Sequence, residues 1–220
     1  MTENEQTLPT KKEKFSITRI VAHIISALSS PMLMPTIAVF IALWATSLRF
    51  APMASRLIVL GMVFAVSCLV PIVSIIVLSG IKIIKDPSLN DRGDRFYPIT
   101  VAAVCYVGLA LFMPAVHAPS WLTSFMWGIA FLAAVTLVIN QYWKISGHSI
   151  GMGGLTALCF FMSLHDYMLS GNDVLLYCVI LASGIVMSCR LVLRCHTLSQ
   201  VLAGYGIGFL VIALSQILGG

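Results

Sequence analysis

The stretch WLTSFMWGIAFLAAVTLVINQY, residues 121–142, decides the fold, because none of its positions carries a charged side chain. A helix of about 20 apolar residues is long enough to cross the hydrocarbon core of a bilayer, which is roughly 30 Å thick. The run is continuously apolar and does not alternate with polar positions, so it does not fit a strand of a membrane β-barrel. It predicts a transmembrane helix.

Runs of the same kind recur along the chain. The 220 residues are 59% hydrophobic and only 10% charged, which is too little charge for the water-facing surface of a soluble domain. We predict an all-α fold, a polytopic transmembrane helical bundle of about six or seven spans, with a polar active site at one membrane face. The predicted spans are 31–48, 57–80, 99–117, 121–142, 150–168, 173–189 and 201–218.

The N-terminal part differs from the rest in composition. Residues 1–15 are polar and of mixed charge, and we predict a disordered tail. Residues 16–30 have a helical pattern, but they are too short to span and include Arg19, so they predict an interfacial helix. With no repeat or low-complexity tract, residues 16–220 are expected to form a single domain.

Three polar clusters interrupt the apolar pattern. They read IKIIKDPSLNDRGDRFYP at 81–98, WKISGHS at 143–149 and CRLVLRCHTLSQ at 189–200. Two predicted spans separate the first cluster from the second, and two more separate the second from the third. Because an even number of crossings returns the chain to the same face, all three clusters are expected to meet at one side of the membrane.

The clusters supply side chains that suit a phosphate group. The arginines Arg92 and Arg190 can donate two parallel hydrogen bonds to phosphate oxygens, and Lys85 adds a point charge. Of the two histidines, His148 and His196, one can attack phosphorus while the other protonates the leaving oxygen. The sequence has no carboxylate cluster suited to magnesium. It therefore predicts phosphoryl transfer without a metal or other cofactor, in which positioned cations stabilise the transition state.

These segments resemble the three ordered motifs of the type 2 phosphatidic acid phosphatase family, which also contains the vanadium haloperoxidases. The first family motif is a lysine and an Arg-Pro pair with six residues between them, and the second is Pro-Ser-Gly-His. The third is Ser-Arg, then His after five intervening residues, then Asp after three more. This chain reads KDPSLNDRG from Lys85, ISGHS from Ile145 and CRLVLRCHTLSQ from Cys189, in the same order and with the same internal spacing.

The resemblance implies a role for each matching residue. His148 would be the general acid, and His196 the nucleophile that forms a phosphohistidine. The phosphate would be bound by Lys85, Arg92, Ser146, Gly147 and Arg190. The implied protein is a multi-pass phosphatase of the bacterial inner membrane. Its partners would be a lipid phosphate substrate and membrane lipids, with no nucleic acid.

The chain departs from the family pattern at four positions. Gly93, Ile145 and Cys189 replace Pro, Pro and Ser, and these changes leave the chemistry intact. Gln200 replaces the Asp that in the family orients the nucleophilic histidine. Because Gln200 follows His196 by four residues, the two share a helix face and the amide can fix the imidazole tautomer. The amide carries no negative charge, so we expect a slower enzyme.

Several alternatives stay open at the level of sequence. The substrate can be phosphatidic acid, phosphatidylglycerol phosphate, a polyprenyl diphosphate or lipid A. Gln200 also permits a weak or inactive relative that binds phospholipid, and the intramembrane charges permit a small transporter component. The excess of Lys and Arg on the motif face favours the cytoplasmic side, whereas many family members act on the periplasmic side. Lys82, Arg95 and Arg194 are interpreted as headgroup anchors.

Overall fold

The computed structural model describes residues 17–84, 93–165, 167–168 and 173–219. The tail at 1–15 and two predicted phosphate ligands, Lys85 and Arg92, lie outside these ranges. Regular structure within them is helical, apart from an isolated bridge between Thr46 and Met168. The helices are α1 (Ile17–Leu28), α2 (Met34–Ala45), α3 (Met53–Phe64), α4 (Val70–Gly80), α5 (Phe96–Phe112), α6 (Ser120–Tyr142), α7 (Gly147–Leu164), α8 (Val174–Val192) and α9 (Leu198–Gly219).

Six helical segments in the described part of the chain are long and apolar enough to span a bilayer. They are Met53–Gly80, Gly93–Val116, Ser120–Tyr142, Gly147–Leu164, Val174–Val192 and Leu198–Gly219. The first of them combines α3 and α4 through a π-helical turn at Ala65–Leu69, and the second is α5 with short 3-10 turns at both ends. The all-α, multi-pass membrane bundle predicted from the sequence is confirmed.

The predicted first span at 31–48 has a different form from the other six. Its helix, α2, has 12 residues and reaches about 18 Å, which is short of a bilayer core. The segment from Pro31 to Thr46 nevertheless runs between the same two ends of the bundle as α7. Pro31 packs beside Gly147 at the start of α7, and Thr46 forms its bridge with Met168, just beyond the end of α7. The segment that contains α2 therefore runs alongside α7, although α2 itself is shorter than the six spanning segments.

The predicted interfacial segment at 16–30 forms the amphipathic helix α1. Its inner face buries Ala22 and Ser26 and packs against α8. The outer face exposes large apolar side chains, namely Ile17, Ile20, Val21, Ile24 and Leu28. A 12-residue helix is too short to span, and one with such an outer face suits the boundary between headgroups and acyl chains.

The centre of the bundle is a close crossing of α7 and α9, which run in the same direction. A Cβ atom at Gly208 would lie 2.1 Å from the carbonyl oxygen of Ile150, and one at Gly153 would lie 2.1 Å from that of Tyr205. Only glycine allows two helix backbones to approach so closely, and small residues serve this purpose between membrane helices. The crossing fixes the start of α7 against the first turns of α9.

We expect Gly208→Ala to lower the melting temperature of the purified protein, because the added methyl group meets the backbone of Ile150. Overpacking costs about 1–3 kcal/mol, and 1 kcal/mol moves the melting temperature of a chain of this size by roughly 2–4 °C. Gly206→Ala is the matched control: the new Cβ there has no atom within 4 Å, and alanine favours the helix. Thermal unfolding in detergent measures both; equal melting temperatures would contradict the crossing.

Candidate active site

A cavity of about 380 Å³ lies among the helices and reaches the end of the bundle where α5, α7 and α9 begin. Its polar lining residues are gathered at this end. Those with charged, imidazole or amide groups are Arg95, Asn140, His148, Arg190 and His196. The predicted clusters at 81–98, 143–149 and 189–200 each contribute at least one of them. The expected convergence of the three clusters at one end of the bundle is therefore confirmed, through Arg95, for the described residues.

His196 and Gln200 form the pair that their spacing predicts. His196 Nδ1 lies 3.1 Å from Gln200 Oε1, and the backbone N–H of Thr197 donates to the same oxygen at 3.2 Å. Because a backbone N–H can only donate, the second contact identifies the amide atom as oxygen. Nδ1 of His196 must then carry the proton, which leaves the lone pair on Nε2. The amide thus holds His196 in the tautomer that a nucleophile needs.

The surroundings of His196 keep its ring neutral. The side chain is buried, and it sits between α8 and α9, outside the spanning segments. Burial lowers the pKa of His196 from 6.5 to about 4; the positive charges of Arg95, Arg190 and Lys144 also lower it, while the hydrogen bond to Gln200 opposes the shift. Since the pKa lies well below neutrality, the unprotonated ring dominates at physiological pH.

His148 and Arg190 both contact the interfacial helix α1 through Ser26. His148 Nε2 lies 3.0 Å from the carbonyl oxygen of Ser26, which can only accept, so Nε2 donates and Nδ1 remains to take or give a proton. Arg190 Nη1 donates to the hydroxyl of Ser26 at 3.2 Å. The buried Nε of Arg190 has no hydrogen-bond partner among the described residues. A buried guanidinium with an unused donor suits an anion.

Ser146 and Gly147 form the start of α7. Ser146 is the N-cap: its Oγ accepts from the backbone N–H of Ser149 at 3.4 Å and from the Ser149 hydroxyl at 2.9 Å. Gly147 and His148 line the cavity beside this helix end, whose unpaired N–H groups and dipole favour negative charge. The Ser146 side chain is fully buried and serves the cap. Its contact with phosphate oxygens stays a prediction.

Arg95 corrects the interpretation made from the sequence. Interpreted there as a headgroup anchor, it lines the cavity together with the two histidines, and its Nη1 lies 3.5 Å from the carbonyl oxygen of Ile145. Its charge also acts on the pKa of His196. The position of Arg95 in the sequence is the signal that could have indicated its place in the cavity. It follows Arg92 by three residues and directly precedes the apolar span.

Two further residues were missed. Asn140 is a buried amide near the end of the apolar α6, and a lone polar residue at membrane depth is itself a signal of function. Ser26 belongs to a segment interpreted only as a surface helix, and no feature of its sequence indicates a contact with residues more than 120 positions away.

The chemistry that this site can support is inferred from the residues that line it. Comparison with family models gave no match to this chain, and comparison with curated proteins and solved structures gave none either. Among the described residues, the site combines two imidazoles with two arginines, and no group of three His, Cys, Asp or Glu side chains gathers that could hold a metal ion. Such a set is suited to binding and transferring an anionic group.

We expect Gln200→Asp to raise the pKa of His196 well above its wild-type value, because a carboxylate four residues away favours the charged ring. Gln200→Asn is the control of equal reach without charge, and it should keep a pKa near the wild-type value of about 4. NMR titration of the ring nitrogens of His196 measures both. The account of the site is contradicted if the Asp and Asn variants titrate together.

Proposed function

We propose that this protein is a metal-independent lipid phosphate phosphatase of the type 2 phosphatidic acid phosphatase kind, located in a bacterial inner membrane. The observation that carries the proposal is the meeting of His148, His196, Arg95 and Arg190 in one cavity at the N-terminus of α7. Each belongs to a segment that matches or adjoins a family motif. The remaining cavity wall is largely apolar, which suits a substrate that is a lipid.

Binding of the phosphate uses donors that the site already holds. Arg190 offers its unpaired Nε, and Arg95, which also lines the cavity, offers a second guanidinium. The N-terminal N–H groups of α7 add neutral donors beside Gly147. Hydrogen bonds to a charged group are worth roughly 1.5–3 kcal/mol each. In the proposal, Lys85 and Arg92 complete the set from the segment outside the described residues.

The first chemical step transfers the phosphoryl group to the protein. The Nε2 lone pair of His196 attacks phosphorus, and the bond from phosphorus to the lipid oxygen breaks. His148, in its protonated form, gives a proton to the departing lipid oxygen, so a lipid alcohol leaves. The cations around the phosphate stabilise the charge that builds on its oxygens. The product is a phosphohistidine at His196.

The second step restores the protein. His148, now neutral, removes a proton from a water molecule, and the water oxygen attacks phosphorus. The phosphorus–nitrogen bond breaks, His196 regains its lone pair at Nε2, and inorganic phosphate leaves. Gln200 keeps its hydrogen bond to Nδ1 throughout, but it cannot neutralise the positive ring of the intermediate. The reaction is therefore slower than with a carboxylate at this position.

We expect His196→Ala to lose phosphate release from every lipid phosphate tested, because no other group replaces the nucleophile. His148→Ala should slow release by about 10²–10⁴-fold, the usual contribution of a general acid. His165→Ala is the control, since His165 lies at the other end of α7. Phosphate release is measured in detergent with a chelator present, on phosphatidic acid, phosphatidylglycerol phosphate, a polyprenyl diphosphate and lipid A.

A trapping experiment completes this test. A substrate labelled in its phosphate group should leave labelled phosphate bound to the wild-type protein. This phosphate should survive alkali and be lost in acid, as a phosphorus–nitrogen bond requires. His196→Ala should retain none. Wild-type protein that releases no phosphate from the whole panel would favour a phospholipid-binding relative. Release that persists in His196→Ala would refute the proposed nucleophile.

A further inference from the structure

The cavity extends far beyond its polar end, along one face of α6. The residues of α6 that line it recur at helical spacing, namely Asn140, Thr136, Ala133, Leu132, Ile129 and Phe125. From Asn140 to Phe125 this stripe covers about 22 Å along the helix axis. The hydrocarbon core of one leaflet is about half of the roughly 30 Å bilayer core. The cavity is therefore deeper than a phosphate site needs.

The deep part of the cavity is largely apolar and lies among the helices, with Tyr106 of α5 also in the lining. Its other walls include Ala38 of α2, Ala102 of α5, Leu155 of α7 and Ile212 of α9. Five helices therefore contribute to the wall of this part. The hydroxyl of Thr136 donates to the carbonyl oxygen of Leu132 at 2.7 Å, so it requires no partner from the cavity. Space lined mainly by apolar side chains does not hold water well.

The volume and continuity of the cavity limit what can occupy it. About 380 Å³ is near the lower end of the roughly 300–1,000 Å³ typical of small-molecule sites. The polar and apolar parts belong to one cavity. A ligand whose phosphate lies at Arg190 and His196 must therefore place the group attached to that phosphate between the helices. A single slender hydrocarbon chain meets both conditions, because about 380 Å³ spread over about 22 Å of length leaves a narrow channel.

We propose that the inner part of this cavity binds one hydrocarbon chain of the substrate, and that the protein prefers lipid phosphates with a single chain, either prenyl or monoacyl. This inference rests on the phosphatase function proposed above and narrows its substrate class. The chain leaves the bilayer and lies along α6 while the phosphate sits at the start of α7. The length of the cavity then selects the length of the chain.

Two adjacent alanines of α6 provide a matched pair of variants. Ala133 is buried and lines the cavity about 10 Å along the helix from Asn140. Ala134, the next residue, is exposed on the outer surface of the bundle. Ala133→Phe places a ring across the path of the chain, and Ala134→Phe places the same ring outside. Ala133→Leu is a smaller obstruction, which keeps the test usable where the larger ring prevents folding.

The experiment measures kcat/KM for a series of monomeric n-alkyl phosphates from butyl to tetradecyl. For the wild type we expect kcat/KM to rise with chain length, by up to about fourfold for each methylene that enters the cavity, and then to level off. In Ala133→Phe, and less in Ala133→Leu, the ratio of kcat/KM for tetradecyl over butyl phosphate should fall at least about tenfold. In Ala134→Phe the ratio should equal that of the wild type.

A second readout does not depend on hydrolysis. An alkyl phosphate with a photoreactive group at the far end of its chain should label the inner stripe of α6, between Phe125 and Ala133, in wild-type protein and in His196→Ala. It should not label this stripe in Ala133→Phe. Hydrolysis of all chains at one rate, with labels only on the outer surface, overturns the chain site and leaves the phosphatase intact. Labelling of the stripe without hydrolysis of any chain overturns the phosphatase and leaves the chain site intact.

Discussion

The close crossing of α7 and α9 is the contact on which the rest of the site depends. His148 belongs to the first turn of α7, and His196 precedes the first turn of α9 by two residues. At Gly204 a Cβ atom would lie 2.9 Å from the carbonyl oxygen of Ser146, and at Gly208 it would lie 2.1 Å from that of Ile150. Backbone packed against backbone has few ways to adjust. The separation of the two imidazoles is therefore set by glycines and not by any bond between the histidines.

Cationic and imidazole side chains are concentrated at one end of the bundle. Two arginines and two histidines line the polar end of the cavity, and burial with the nearby cations keeps His196 neutral at physiological pH. The guanidinium of Arg190 meets only the hydroxyl of Ser26 among the described residues and retains a buried donor without a partner. An unpaired donor on a cationic side chain such as Arg190 is costly near a bilayer core. In the function proposed above, a phosphate group would accept from the unpaired Nε of Arg190 and supply negative charge beside it.

The sequence predicted those features that depend on local pattern. Runs of apolar residues located the six long spans to within about six residues at each end, but they did not indicate that the helix in the segment 31–48 is short. The even number of crossings between clusters placed His148 and Arg190 at the same end. The spacing of His196 and Gln200 predicted a shared face, which the hydrogen bond between them confirms. Each of these inferences needs only helix geometry and the thickness of a bilayer.

The missed features depend on contacts between distant parts of the chain. An arginine at the end of a span can point to headgroups or into the bundle, and only packing decides which; Arg95 points into the cavity. Ser26 reaches His148 because α1 packs on α8, a contact that the amphipathic pattern of α1 does not encode. The sequence did not predict the apolar stripe of α6, for a related reason. An apolar residue that lines a cavity has the same sequence signal as one that faces lipid.

The most direct test is an experimental structure of the protein with orthovanadate, which adopts the five-coordinate geometry of a phosphate under attack. We expect one vanadate at the start of α7, bonded to Nε2 of His196, with Arg95 and Arg190 donating to its oxygens and His148 at the opposite apex. A structure in which the two imidazoles occupy different ends of the bundle, or in which the anion binds away from both, would contradict the account.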